Sequence, residues 1–359
     1  MVEFVESLDK VQQRWEAWWD GTLDKGPVVS VTAPLAKPRK PPLSADIPSN
    51  VRDMWHDTAF RAVAAHNNVM STWYGGDAVP SFWVNFGPGS VAAYLGAPVT
   101  YEWITIWFHR LANNSLEGIE ASLAYDPDNE LWTATRNLTE EAARIAEGEY
   151  LVAFADVGSA LDILASLRGN QELLLDLIES PDGVNRCQDR ILELWFRYFS
   201  ELRSIFDNAG QNGYTCWVPA WSSRPWYVLQ CDISAMISPD MFAELVLPHM
   251  RKNVDWLDRS MYHWDGPGAI QHLDNLLSIE KLNAIQWVAG AGNPQEDSEV
   301  WLPYYRKIAE AGKGVVFRAT DPDKAFDISQ KLPAERLAFF IELGSPEEGQ
   351  QFLARFDMD

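Results

Sequence analysis

Apolar residues gather into short runs parted by turn-forming stretches. Eight runs read as strands: residues 28–33, 81–86, 150–156, 214–221, 261–265, 284–289, 314–318 and 337–342. Most are apolar at nearly every position, as strands buried on both faces are. Gly26-Pro27, Gly87-Pro-Gly89, Gly266-Pro-Gly268, Gly290-Ala-Gly292 and Gly344 punctuate them. Helical periods lie between. Leu8, Val11, Trp15 and Trp18 share one helical face, stopped by Asp20-Gly21. Ser180-Pro-Asp182 and Ser238-Pro-Asp240 have helix-start chemistry, and Pro248 implies a kink or boundary in the second helix. Thr139–Glu147 reads as a short helix with Thr139 as its cap, and residues 270–277 as another. Residues 35–50 read as a loop, and 90–135 as an insertion.

Eight buried strands alternating with helices predict a single (β/α)8 TIM barrel over residues 1–359, with an N-terminal helical extension and an insertion over the mouth. A doubly wound open sheet fits nearly as well. No GxGxxG or Walker pattern supports a nucleotide-binding version.

Composition narrows the function. A formal charge of −22, with Lys37-Pro-Arg-Lys40 as the longest basic cluster, disfavours nucleic acid, anionic membrane surfaces and polyanionic substrates. Three cysteines without a CxxC fit a reducing compartment. With no signal-like N-terminus and no apolar run of about 18 residues, the expectation is a cytoplasmic protein. The 17 tryptophans suit either an aromatic pocket or a core.

The candidate chemistry lies at strand ends, where a barrel of this kind keeps its active site. His263 and Asp265, two apart in Tyr262-His-Trp-Asp-Gly266, share a strand face. With Glu342 they could hold one divalent metal, zinc first, then manganese or iron. Bland alternatives are a buried histidine bonded to an aspartate, a rim salt bridge for Glu342, and a turn or cap for Asp156. Asp156 and Asp232 are the candidate proton donors or orienters. His272 and Asp274 read as supporting residues. Asn85, Trp83, Trp217, Trp221, Trp264, Trp287 and Arg318 would line a substrate pocket, although core is the better reading for any single tryptophan. An indole box suits an aromatic or methylated substrate, including a cationic one. Paired strand-end acids leave glycoside hydrolysis open.

The stretch Leu229-Gln-Cys-Asp-Ile-Ser-Ala-Met-Ile-Ser-Pro-Asp-Met-Phe-Ala-Glu-Leu-Val-Leu-Pro248, followed by Tyr262-His-Trp-Asp-Gly266 and Ile285-Gln-Trp-Val288, resembles the uroporphyrinogen decarboxylase superfamily. Within it the chain is similar to the corrinoid-linked methyltransferases. The likeness covers residues 150–345 well and the N-terminal third loosely. The family's fold is a (β/α)8 barrel. Its thiol-activating members carry a His-x-Cys zinc motif here and a further Cys near the barrel's end. This chain has Asp265 at the first position and Glu342 about where the second would fall. The resemblance implies a harder, oxygen-rich site, less suited to a thiolate and suited to Lewis-acid work on an ether, amine or carboxylate. The decarboxylases' N-terminal arginine-rich motif has no counterpart.

The expectation is a metal-assisted enzyme moving a methyl group from a small O-, N- or S-methylated substrate to a corrinoid carried by a partner protein. The alternatives are a carboxy-lyase with Arg318 on the substrate carboxylate, and a non-catalytic ligand-binding barrel. Oligomeric state is left open, a homodimer included.

Overall fold

Strands occupy seven of the eight apolar runs in the computed structural model, which describes residues 8–358. They are β1 (Val28–Pro34), β2 (Thr72–Gly76), β3 (Ser81–Trp83), β4 (Val99–Tyr101), β5 (Ile106–Phe108), β6 (Leu151–Ala153), β7 (Trp226–Leu229), β8 (Arg259–Asp265), β9 (Ala284–Val288), β10 (Gly314–Ala319) and β11 (Leu337–Glu342). The central sheet has seven strands in the order β2-β1-β11-β10-β9-β8-β7. It is parallel except for β2, which runs antiparallel to β1. β3 and β6 form a separate parallel pair, and β4 and β5 an antiparallel hairpin. The class is thus α/β with a parallel central sheet.

The eight-stranded closed barrel expected from the pattern is not what the hydrogen bonding makes. The described strands fall into sheets of seven, two and two. One break lies between β1 and β3, where β2 pairs with β1 instead; the other lies at residues 214–221, which form no strand, the strand here being β7, a few residues later. Tyr214 instead bridges back to Ser222, folding the segment on itself around Pro219. Carbonyls that a ladder would occupy accept other donors. The Trp221 indole N–H donates to the Asn212 carbonyl at 2.9 Å, and that of Trp226 to Tyr214 at 3.0 Å. One contact spans the gap towards β6, from the Phe154 N–H to the Thr215 carbonyl at 3.0 Å.

The N-terminal helix, Leu8–Trp19, explains where three tryptophans go. Trp15 stacks on Phe340 of β11, Trp19 packs on Trp226 of β7, and the Trp18 ring lies against Gly314 of β10. One short helix therefore touches strands from the edge and the interior of the sheet, which is sharply curved around it. The same helix presents Glu16 and Asp20 to Arg259, whose side chain is buried at the start of β8. Both Arg259 terminal nitrogens donate to Glu16 at 2.8 Å, and Nη2 also donates to Asp20 at 2.8 Å.

The structure replaces one local expectation and gives detail to two others. Thr139 is no cap: it is buried in mid-helix within Glu130–Ala146, which Asn129 caps by accepting from the Leu131 and Trp132 amides. A β-hydroxyl reads as a cap only when the apolar period starts there, and the period starts earlier. Pro248 opens the Leu247–Trp256 helix, preceded by a π-helical turn over Phe242–Val246. Proline lacks the N–H that would continue an α-helix, so the chain widens before it. Residues 90–135, expected as an insertion, hold two short helices, the β4–β5 hairpin and the start of the long helix. Ile106 and Phe108 of the hairpin lie against Gly87, just past β3.

The Arg259 anchor has a pH signature. Partial burial pushes the Glu16 carboxyl up, but the Arg259 guanidinium and the Ser223 amide outweigh it and hold the group down at about 2, against an ordinary 4.5. A carboxylate lowered on folding stabilises fully above the unfolded value and loses that contribution as pH falls through the folded one. Glu16→Gln is expected to cost about 2 kcal/mol at neutral pH, allowing for the partial exposure of the Glu16 side chain. Urea denaturation of both proteins should show the difference shrinking between pH 4.5 and 2. A pH-independent difference would refute the assignment.

Candidate functional site

β8 runs from the anchor to the site. Arg259, Met261, His263 and Asp265 alternate along it and share a face, because strand side chains repeat every second residue. Arg259 meets the N-terminal helix below; His263 and Asp265 stand at the other end. Beside them β7 ends and gives way to a 3-10 turn, Asp232–Met236. That turn brings Asp232 in. One ligand atom each from Asp232, His263 and Asp265 lie within 4.8 Å of one another.

The imidazole is oriented for coordination. His263 Nδ1 donates to Gln286 Oε1 at 2.8 Å, across the register pair His263–Gln286 of β8 and β9. That bond engages Nδ1 and leaves Nε2 as the nitrogen that would coordinate, the usual arrangement behind a histidine ligand. One imidazole and two carboxylates is a donor set that zinc, manganese or iron(II) accepts. The residues present therefore fit a divalent cation.

More acid surrounds this group. Asp156, just past β6, is buried; its Oδ1 accepts from the Gly158 amide at 2.9 Å and the Tyr227 hydroxyl at 3.1 Å. Burial pushes its carboxyl up, against those hydrogen bonds and the pull of His263. Asp162, in the first turn of the Ala160–Arg168 helix, is raised by burial as well. Asp232 is exposed as a residue, yet its carboxyl end sits among like charges. Desolvation, then repulsion from Asp162, Asp265 and Asp156, pushes it up to about 8. Four carboxylates around one histidine create a strong demand for positive charge, which a bound cation would supply.

Glu342 does not join this group. It ends β11, separated from β8 by β9 and β10, and lies 3.7 Å from Arg318 with both side chains exposed. Asp232 takes the third position near His263 instead. Of the proposed pocket tryptophans, Trp217 stands nearest, its ring edge-on to His263 at 4.9 Å. Trp83, half-buried, ends β3, and Asn85 follows, its side chain accepting from the Gly87 amide at 2.8 Å. Trp264 and Trp287 point the other way. They pair across β8 and β9, pack against each other at 4.5 Å, and reach Tyr304 and Trp301 under the outer helix. Trp221 is buried beside the N-terminal helix, whose Trp19 indole donates to its carbonyl. His272 is buried, stacked on Phe242, and its Nε2 bonds the Ser234 carbonyl at 2.8 Å; Asp274 pairs with Lys307 at the surface.

Two residues escape sequence reading. Asp162 looks like an ordinary helix first-turn acid, and Gln286 like a polar break in a strand. Only the strand register, which sets Gln286 opposite His263, could have pointed to the second.

No protein-family model matches the chain, and no curated protein matches its sequence. A solved structure, a methyltransferase from Methanosarcina mazei, is similar over 97% of this chain and 98% of its own, with a TM-score of 0.60 at 14% identity. That likeness is one of fold. Among the described residues, no helix is long and apolar enough to cross a membrane.

The two sides of β8 should respond differently to substitution. Trp264→Ala is expected to cost about 3–5 kcal/mol of stability, as large core truncations do. Glu342→Ala, removing an exposed partner, should stay within about 0.5 kcal/mol. Thermal and urea melts decide both; a neutral Trp264→Ala would place that ring outside the core.

Proposed function

We propose that the chain is an enzyme of methyl transfer, taking a methyl group from a small O-, N- or S-methylated substrate and passing it to a corrinoid on a partner protein. The observation that carries this reading is the Asp232–His263–Asp265 group at the end of β8, with Gln286 fixing the imidazole. The fold likeness to a methyltransferase, and the resemblance to the uroporphyrinogen decarboxylase superfamily, supply the reaction class. A divalent cation held by those three residues would act as a Lewis acid on the heteroatom that loses the methyl group.

The chain's own residues then have defined tasks. Asp232, His263 and Asp265 hold the cation. Asp156, whose carboxyl burial pushes up, stands at a buried strand end as the group that would give a proton to the departing heteroatom. Trp217 and Trp83 offer indole faces to the methylated part of the substrate. The methyl group leaves without its bonding electrons and goes to the corrinoid; the heteroatom keeps the pair. The carboxy-lyase alternative needed Arg318 free to hold a carboxylate, and Arg318 lies beside Glu342, two strands from His263.

Two measurements test the proposal. Elemental analysis of purified protein should find about one divalent metal per chain, lost in His263→Ala and Asp232→Ala and retained in Glu342→Ala. Cob(I)alamin added with a panel of methyl ethers, methylamines and methyl sulfides should be converted to methylcobalamin by wild type only. Metal-free wild type that cannot be loaded would sink the metal reading. A loaded protein inert with every donor would sink methyl transfer.

A further inference from the structure

We propose that Asp162 is the positioning residue that holds Asp232 in place for the cation. This rests on the metal reading above, and Asp162 itself need touch neither metal nor substrate. Asp232 belongs to no strand: it opens a 3-10 turn at the end of β7, and such a turn has no ladder to fix it. What fixes it is a carboxylate from another element. Asp162 Oδ2 accepts from the Asp232 amide at 3.0 Å, and Oδ1 accepts from the Ile233 amide at 3.2 Å. Oδ2 also accepts from the Ser159 hydroxyl at 2.9 Å. Both oxygens of Asp162 are therefore engaged, and both serve to seat the turn.

The base beneath Asp162 is rigid. Its helix starts after Gly158, whose carbonyl accepts from the buried Trp195 indole at 2.9 Å. The Tyr227 hydroxyl accepts from the Val157 and Gly158 amides at 2.8 and 3.2 Å. Gly158 lies so close to Gly89 that an added Cβ would stand 2.7 Å from the Gly89 Cα. From the other side His272 holds the turn through the Ser234 carbonyl. The chain of support runs from packed core, to the Gly158 corner, to Asp162, to the Asp232 backbone. A ligand supplied by a turn gains its precision from such outer partners, whose loss in metal sites costs about ten- to a hundredfold in affinity.

These three donors require an aspartate. Two backbone N–H groups and a hydroxyl need two acceptor oxygens in one plane. Asparagine offers one acceptor and turns an N–H2 towards a donor, so Asp162→Asn should release the turn while nearly preserving volume.

The test uses the full chain. Hydrogen exchange of metal-free protein, read by mass spectrometry on the peptide containing Asp232 and Ile233, should be at least tenfold faster in Asp162→Asn. Calorimetric titration with Mn2+ and Zn2+ should show binding about ten- to a hundredfold weaker. Ser159→Ala, which removes one supporting hydroxyl, keeps the proposal testable if Asp162→Asn does not fold, and should weaken binding less, in the same direction. The deciding measurement is the double variant. If Asp162 acts through Asp232, adding Asp162→Asn to Asp232→Asn leaves cation affinity where the single Asp232→Asn put it. An equal further loss in that background would overturn the proposal, as would unchanged affinity and exchange in Asp162→Asn. Should wild type bind no cation, the metal reading falls, and exchange alone decides: unchanged amides overturn the positioning of Asp232, faster ones uphold it.

Discussion

One ion pair sets the frame on which the site stands. Arg259, buried at the start of β8, is tied to Glu16 of the N-terminal helix, 243 residues earlier in the chain, and to Asp20 just past its end. A buried guanidinium is tolerable when its charge is paired, and here Glu16, Asp20 and Ser222 take up its two terminal nitrogens while the helix drives three indoles beneath the strands. The sheet bends round that plug. β8 then carries the constraint upward, because residues on one strand face cannot move independently. Arg259 below and His263 with Asp265 above are ends of one rigid element.

At the upper end the governing term is charge. Asp156, Asp162, Asp232 and Asp265 gather about His263, and self-repulsion among them costs stability. Folded proteins keep such arrangements where function needs them, since perturbed groups concentrate at sites. The acids are not equivalent. Asp156 and Asp162 have their oxygens engaged by backbone and hydroxyl donors. Asp232 and Asp265 turn towards the histidine and are open to solvent.

Much of the layout was legible in the sequence, and the failures have physical reasons. Apolar runs bounded by Gly and Pro locate β1 and β8 to β11 because strands buried on both faces leave no other reading. Residues 214–221 share that composition but are an irregular wall, since indole N–H groups take over the ladder's carbonyls. His263 and Asp265 were visible through the two-residue strand period. The sequence marks Asp232 only as a candidate proton donor or orienter; that it, and not Glu342, lies beside His263 was not legible, because which strand ends meet is set by sheet order, and sheet order is not written in local pattern. The inward or outward direction of Trp264 follows from the same period that places His263. Once His263 faces the site, its neighbour must face the helices.

The N-terminal helix has a consequence for how the protein is made. It is made well before most of its partners: Trp226, then Arg259, then Gly314, then Phe340. At roughly 5–20 residues per second, Arg259 follows Glu16 by roughly 10–50 s. Trp19 can meet Trp226 before then, but Trp18 and Trp15 wait longer still, for Gly314 and Phe340. Contacts this distant in sequence also make folding slow once synthesis ends. The plug that gives the mature sheet its curvature is, during synthesis, an exposed aromatic face awaiting its partners, and a natural handle for chaperones.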